Sequence, residues 1–218
     1  MSGKVLTHQY YRRVLKITKK TFGANHPKTA NCLNNLAIAL SYKGDYEEEA
    51  ELLYREALTI TKKHFGYNHV ETASALYNLG TVFELKNEHE AAKPLYRESL
   101  LITEHVLGEN ADETKSKMFL LAQYLNHIGD IEDAEKLFRQ ELVICEKYLG
   151  FYDTETQQSL HSLGVHLRKW ERYDEAEQIL RKVVTLREQY LDPEDAEGLD
   201  LLADSLNELN LMLAKKSD

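Results

Sequence analysis

The chain has 218 residues, 43% hydrophobic and 29% charged, which is enough apolar material for a packed core and too much for a disordered chain. Only 3 Pro and 10 Gly occur, few for an all-β fold built on tight turns, so helix is favoured. The formal net charge of −9, with Lys and Arg dispersed among Asp and Glu, excludes nucleic acid as an expected partner, because an acidic surface repels phosphate.

The N-terminal segment MSGKVLTHQYYRRVLK is polar and basic and lacks the apolar core of a signal peptide. No run of about 18 apolar residues follows. The expectation is a soluble, cytoplasmic protein with no membrane insertion. Residues 5–22 read as one helix, and HQYYRRVLKITKKTFG aligns with LLYREALTITKKHFG one copy later. The chain therefore opens on the second helix of an incomplete repeat. Its apolar side is left for upstream residues, a partner or another copy to cover, which makes it a candidate surface for homo-oligomerisation.

From there the text repeats, and fixed-period self-similarity is the signature of a stacked array. An apolar residue followed by Gly recurs at Phe22-Gly23, Phe65-Gly66, Leu107-Gly108 and Leu149-Gly150, with a degraded copy at Leu191-Asp192. Successive steps are 43, 42, 42 and 42 residues. The repeats span 23–65, 66–107, 108–149 and 150–190. Each begins with a Thr-led helix (TANCLNNLAIALSYKG, TASALYNLGTVFELKN, TKSKMFLLAQYLNHIG, TQQSLHSLGVHLRKWE) and continues with a second, charged one.

Both helices carry the 3.6-residue period. Ala30, Leu33, Ala37 and Leu40 share one face of the first, and Leu53, Ala57 and Ile60 share one face of its partner. Gly44 and Gly129 suit the positive φ that ends a helix, while Asp45 and Asp130 suit the next N-cap, with Glu48 and Asp133 completing a capping box. The extra residue of the first interval lies in Glu47-Glu48-Glu49, where a lengthened turn or local bulge is expected. Small residues recur where helices cross: Ala37, Gly80, Ala122 and Gly164 in the first helix, Ala50, Ala92, Ala134 and Ala176 in the second. A large side chain there overpacks the crossing at a cost of about 1–3 kcal/mol. Glu141 stands where this pattern wants a small residue, and is expected to tilt outward.

The C-terminal segment 191–218 reads as a capping helix that seals the last hairpin. Pro193 suits its first turn, and Leu199, Leu202, Leu206, Leu209 and Leu213 line one face. The count is about ten helices.

No catalytic or metal-binding pattern emerges. Cys32 and Cys145 have no second Cys nearby, so no CxxC or disulfide framework exists, and both read as buried thiols. His64/His69 and His161/His166 are five apart rather than four, and His89-Glu90 lacks the second His of an HExxH. Neither a glycine-rich phosphate loop nor a GxSxG motif is present. The expectation is a protein that is not an enzyme and uses no metal or cofactor.

The small–Ala–aromatic spacing resembles the tetratricopeptide repeat, from about Tyr10 to Tyr190. The longer period, the Phe22-Gly23…His26-Pro27 loop, the Leu33-Asn34-Asn35-Leu36-Ala37 run and Lys93-Pro94-Leu95-Tyr96 are similar to the repeats of kinesin light chains and their relatives. The resemblance implies an all-α, right-handed superhelical solenoid of antiparallel helix pairs. It further implies a protein-interaction adaptor whose first helices line a concave groove for a peptide or partner protein. A self-associating, sensor or scaffold fragment of a larger regulator is the alternative.

Within the groove that the resemblance implies, phase relative to the small residue names Asn31, Asn34 and Tyr42 in repeat one, and Tyr77 and Thr81 in repeat two. Asn35 joins them as what the resemblance implies, half of the family's Asn pair with Asn34, and Asn78 stands at its place in repeat two. Repeat three supplies Phe119, Gln123 and Asn126, and repeat four supplies His161 and Arg168. Amide side chains both donate and accept, as an extended peptide backbone requires. Tyr77 and Phe119 offer flat area for an anchor side chain. The cation-and-Asn clamp that seizes a C-terminal carboxylate looks absent, since Arg168 and Lys169 come only at the far end.

Overall fold

The computed structural model describes residues 2–41, 47–190 and 194–217. Among these are ten helices and no strand: α1 (Ser2–Phe22), α2 (Pro27–Ser41), α3 (Glu47–Phe65), α4 (Val70–Leu85), α5 (His89–Leu107), α6 (Asp112–Ile128), α7 (Ile131–Tyr148), α8 (Thr154–Lys169), α9 (Tyr173–Tyr190) and α10 (Ala196–Ser217). They fall into two compact units, Met1–Lys117 and Met118–Asp218, with the boundary inside α6.

Four recurring glycines stop the second helices. Gly23, Gly66, Gly108 and Gly150 have φ of 93°, 88°, 89° and 86°, a conformation that costs glycine little and other residues more. A Cβ at any of them would meet nothing, so the dihedral rather than crowding demands Gly. The leading threonines then tie each loop down: Thr29, Thr72 and Thr114 donate to the carbonyls of Gly23, Gly66 and Gly108 at 2.7, 2.7 and 2.8 Å. The fourth copy differs, because Thr156 Oγ1 is buried without a hydrogen-bond partner. The residue at the loop's end caps the following helix. His26 and His69 accept through Nδ1 from Lys28 and Glu71 N–H groups at 3.1 and 3.2 Å, and Asp153 accepts from Glu155 at 2.9 Å.

In the first unit α1 packs on α2, α2 pairs with α3, α3 meets α4, α4 pairs with α5, and α4 touches α2. Leu33, Leu36, Leu40 and Leu76 fill this core. In the second, α7 meets α8, α8 pairs with α9, and α10 lies on α9 while touching α8. Met118, Leu125, Leu163, Leu180 and Met212 fill that core. Each fully buried Leu or Met contributes about 1.5–3 kcal/mol of transfer free energy. Ala37 and Ala122 are fully buried, as are Ala50, Ala92, Ala134 and Ala176, and Gly80 and Gly164 are buried as well. These are the crossings that the period marked.

Several local expectations change. Glu141 is 6% exposed rather than outward, because it shares the buried α7 stripe of Ala134, Phe138 and Cys145. Cys145 is buried beside Ser159 Oγ at 3.6 Å, whereas Cys32 is only half-buried, 3.4 Å from Thr18 Oγ1. The Asp130 side chain makes no capping bond to α7; its carbonyl takes the Ala134 N–H at 3.1 Å instead. Gly129 does adopt positive φ, 83°, and Asn87 and Glu171 hold the same corner at 57° and 62°. The buried stripe of α10 is Ser205, Leu209 and Met212, leaving Leu199 and Leu206 exposed at 44% and 37%. Tyr42, Gly44, Asp45, Leu191, Asp192 and Pro193 lie outside the described residues.

Candidate functional site

The assigned groove positions of the first unit come from α2 and α4, which touch. Asn31 and Asn35 of α2 are exposed. Asn34 between them is half-buried, and its Oδ1 is shielded from solvent with no hydrogen-bond partner. An acceptor in that state is costly until something donates to it.

On α4, Tyr77 is half-buried with its ring 5.0 Å from that of Tyr96, and Lys117 Nζ stands 5.5 Å over it. Thr81 Oγ1 donates to the Tyr77 carbonyl at 3.2 Å, and the Tyr96 hydroxyl reaches Thr81 Oγ1 at 3.3 Å and Glu84 Oε2 at 2.5 Å. Burial first, then the Glu84 carboxylate, push both phenols above their ordinary range. Tyr77 is therefore a neutral, held aromatic platform. Asn78 beside it is half-buried.

The second unit places its assigned positions differently. Phe119 is half-buried, its ring 6.2 Å from Phe138 in an edge arrangement, and Gln123 is exposed. Asn126 is drawn into the interior. Its Oδ1 accepts from His166 Nδ1 at 3.0 Å and from Trp170 Nε1 at 2.7 Å, while its carbonyl accepts from Lys169 Nζ at 2.8 Å. His161 Nδ1 lies 3.0 Å from Ser205 Oγ, and Arg168 Nε donates to Glu208 Oε2 at 2.6 Å. Asn126, His161 and Arg168 thus already hold partners on the next first-type helix.

Sequence reasoning missed the group that organises this end. Arg187 of α9 is 5% exposed. Its Nη1 donates to the Leu201 carbonyl and to Ser205 Oγ, and its Nη2 donates to Gln158 Oε1 at 3.0 Å. All three acceptors are neutral, and burial pushes the guanidinium below its usual value. The available signal was register: Leu202 and Leu209 follow Leu160 and Leu167 by 42 residues, which marks α10 as a first-type helix with α9 beneath it.

The sequence model of one family, described as "Tetratricopeptide repeat", matches residues 9–63, 48–105 and 113–189. Solved structures share the fold. A single-substitution form of a Podosopora anserina putative kinesin light chain with nearly identical TPR-like repeats is similar at 20% identity and TM-score 0.73, covering 84% of this chain and 85% of that one. A second structure of such a chain, described without the substitution, gives 19% and 0.66, with coverages of 88% and 98%. BtubC (BKLC) from P. vanneervenii gives 15% and 0.69, with coverages of 99% and 90%. No curated protein matches. Among the described residues no helix is long and apolar enough to cross a membrane.

Proposed function

We propose that this chain, which belongs to the tetratricopeptide repeat family, holds a protein or an extended peptide against the first helices of its hairpins. The observation that carries this reading is the orphaned Asn34 Oδ1. It is a shielded acceptor on the same helix as the exposed amides Asn31 and Asn35. Turned outward about its side-chain torsions, this oxygen would accept a backbone N–H from a guest strand, and the exposed amides would take the strand's remaining groups. Tyr77, Asn78 and Thr81 on α4 supply the platform for an anchor side chain. In the second unit, taken by itself, Phe119 and Gln123 offer a like platform on α6, while the polar groups of Asn126, His161 and Arg168 are already bonded. The role is non-catalytic: an adaptor or scaffold.

The test is peptide display selected on the intact chain, with Asn34→Ala/Tyr77→Ala as counter-target. Enriched peptides should lose about tenfold or more in affinity on the double variant, as expected for a buried hydrogen bond plus an aromatic anchor. Equal binding to both proteins, with helicity retained, would reject the site.

A further inference from the structure

Among the described residues, α1 has no first helix to pair with and α10 has no second one. The α4–α5 pair shows what a whole hairpin buries: Leu95 and Ile102 of α5 pack on Ala73 and Leu76 of α4. By the repeat register, the same positions of α1 are Tyr10 and Ile17. These are 62% and 65% exposed. Arg13 and Lys20, at three and ten residues from Tyr10, extend the same open stripe.

The complement stands at α10. It packs on α9 and touches α8 just as α4 packs on α3 and touches α2, so it takes the place of a first helix. The partner that a second helix would supply is not there among the described residues, and Leu199 and Leu206 are exposed on that side. The charges of the two helices oppose. α1 carries Arg12, Arg13, Lys16, Lys19 and Lys20 and no acidic residue. α10 carries Glu197, Asp200, Asp204 and Glu208, with its lysines only at the end. Arg12 and Lys19 already pair with Glu49 and Glu56, and Glu208 pairs with Arg168. Arg13, Lys16 and Lys20 remain exposed on one helix and Asp200 on the other, where Asp204, also exposed, already acts on Arg187 and His161.

We propose that α10 of one copy receives α1 of a second copy, completing a hairpin between molecules. The two surfaces differ, so the contact is heterologous and propagates head to tail. Leu206 follows Gly164 by 42 residues and occupies the crossing position that hairpins keep small. The intermolecular helices therefore sit farther apart than α4 and α5, and the association is weak and reversible.

Sedimentation of the intact chain over about a hundredfold concentration range reads this directly. The average mass should rise above 25.2 kDa with concentration and fall back in high salt, which screens exposed charges. Ile17→Asp and Leu206→Arg should each remain monomeric alone. Mixed, they should form a one-to-one complex and nothing larger, because only one intact α1 and one intact α10 remain. Circular dichroism checks folding, and Tyr10→Glu or Leu199→Arg substitutes for a variant that loses helicity. A monomer at every concentration, assembly by either variant alone, or a mixture that does not pair overturns the proposal.

Discussion

A methyl group on Gly80 would stand 2.9 Å from Cε1 of the Tyr96 ring. The ring has little room to yield, because its hydroxyl is fixed to Glu84 at 2.5 Å and Tyr77 packs on it. Gly164 is held the same way, its added methyl 2.8 Å from Cδ2 and 2.9 Å from Cγ of Leu180. Alanine inside a helix gains up to about 1 kcal/mol over glycine, while overpacking a tight crossing costs about 1–3 kcal/mol. Gly80→Ala and Gly164→Ala should therefore each destabilise, by roughly 1 kcal/mol net. Urea unfolding measures it, and a gain in stability at either position would contradict so close a crossing.

The threonines that open the first helices should separate into two kinds. Thr72 donates to the Gly66 carbonyl at 2.7 Å and is fully buried. Thr72→Val keeps its shape but removes the bond, for a loss of about 1 kcal/mol. Thr156 is equally buried, but its hydroxyl has no partner. Thr156→Val removes an unsatisfied group and should be neutral or stabilising. Equal losses at both sites would mean that the loop carbonyl contributes nothing.

These two predictions rest on what was legible in the sequence: the glycine period, the leading Thr and the small crossing residues, all set by local backbone geometry. Side-chain fate over longer range was less so. Glu141 reads as a misfit to be turned outward, yet its spacing of three from Phe138 and seven from Ala134 fixes it inside whatever its polarity. α10 offers two overlapping apolar stripes, since Leu201, Leu202 and Met212 compete with Leu199 and Leu206. The anchoring of its backbone by Arg187 decides between them. Asn126 reads as a groove amide from phase alone. Its capture by His166 and Trp170, 40 and 44 residues on, depends on packing that no local pattern encodes.

Arg187 should be the residue on which α10 depends. A buried guanidinium bonded to three neutral acceptors is costly to desolvate, and removing it leaves Gln158 and Ser205 without their donor. Arg187→Ala should cost about 2–4 kcal/mol and act locally. Amide exchange would show α10 losing protection while α2–α5 keep theirs. Unchanged protection in α10 would assign its docking to Leu209 and Met212 alone.

Acid should weaken the same end through two histidines. Burial pushes His161 and His166 below the ordinary value of 6.5, and Arg187 adds to the effect at His161 while Glu208 and Asp204 oppose it. Ser205 Oγ accepts from Arg187, so its own hydrogen is free to go to His161 Nδ1. A proton on that nitrogen removes the acceptor and sets a second cation beside the guanidinium. His166 donates through Nδ1 to Asn126, and its buried Nε2 has no partner. A proton there would be a donor facing nothing, although Glu135 favours the charge while Arg172, Lys169 and Arg139 oppose it. The unfolded chain takes up these protons near pH 6.5, before the folded one does. The second unit's stability is therefore full above that value and declines as pH falls through it. His166→Gln should flatten part of this decline between about pH 7.5 and 5.5, measured as the pH dependence of exchange protection in α8 and α10. A wild-type profile flat across that window would mean both histidines titrate normally.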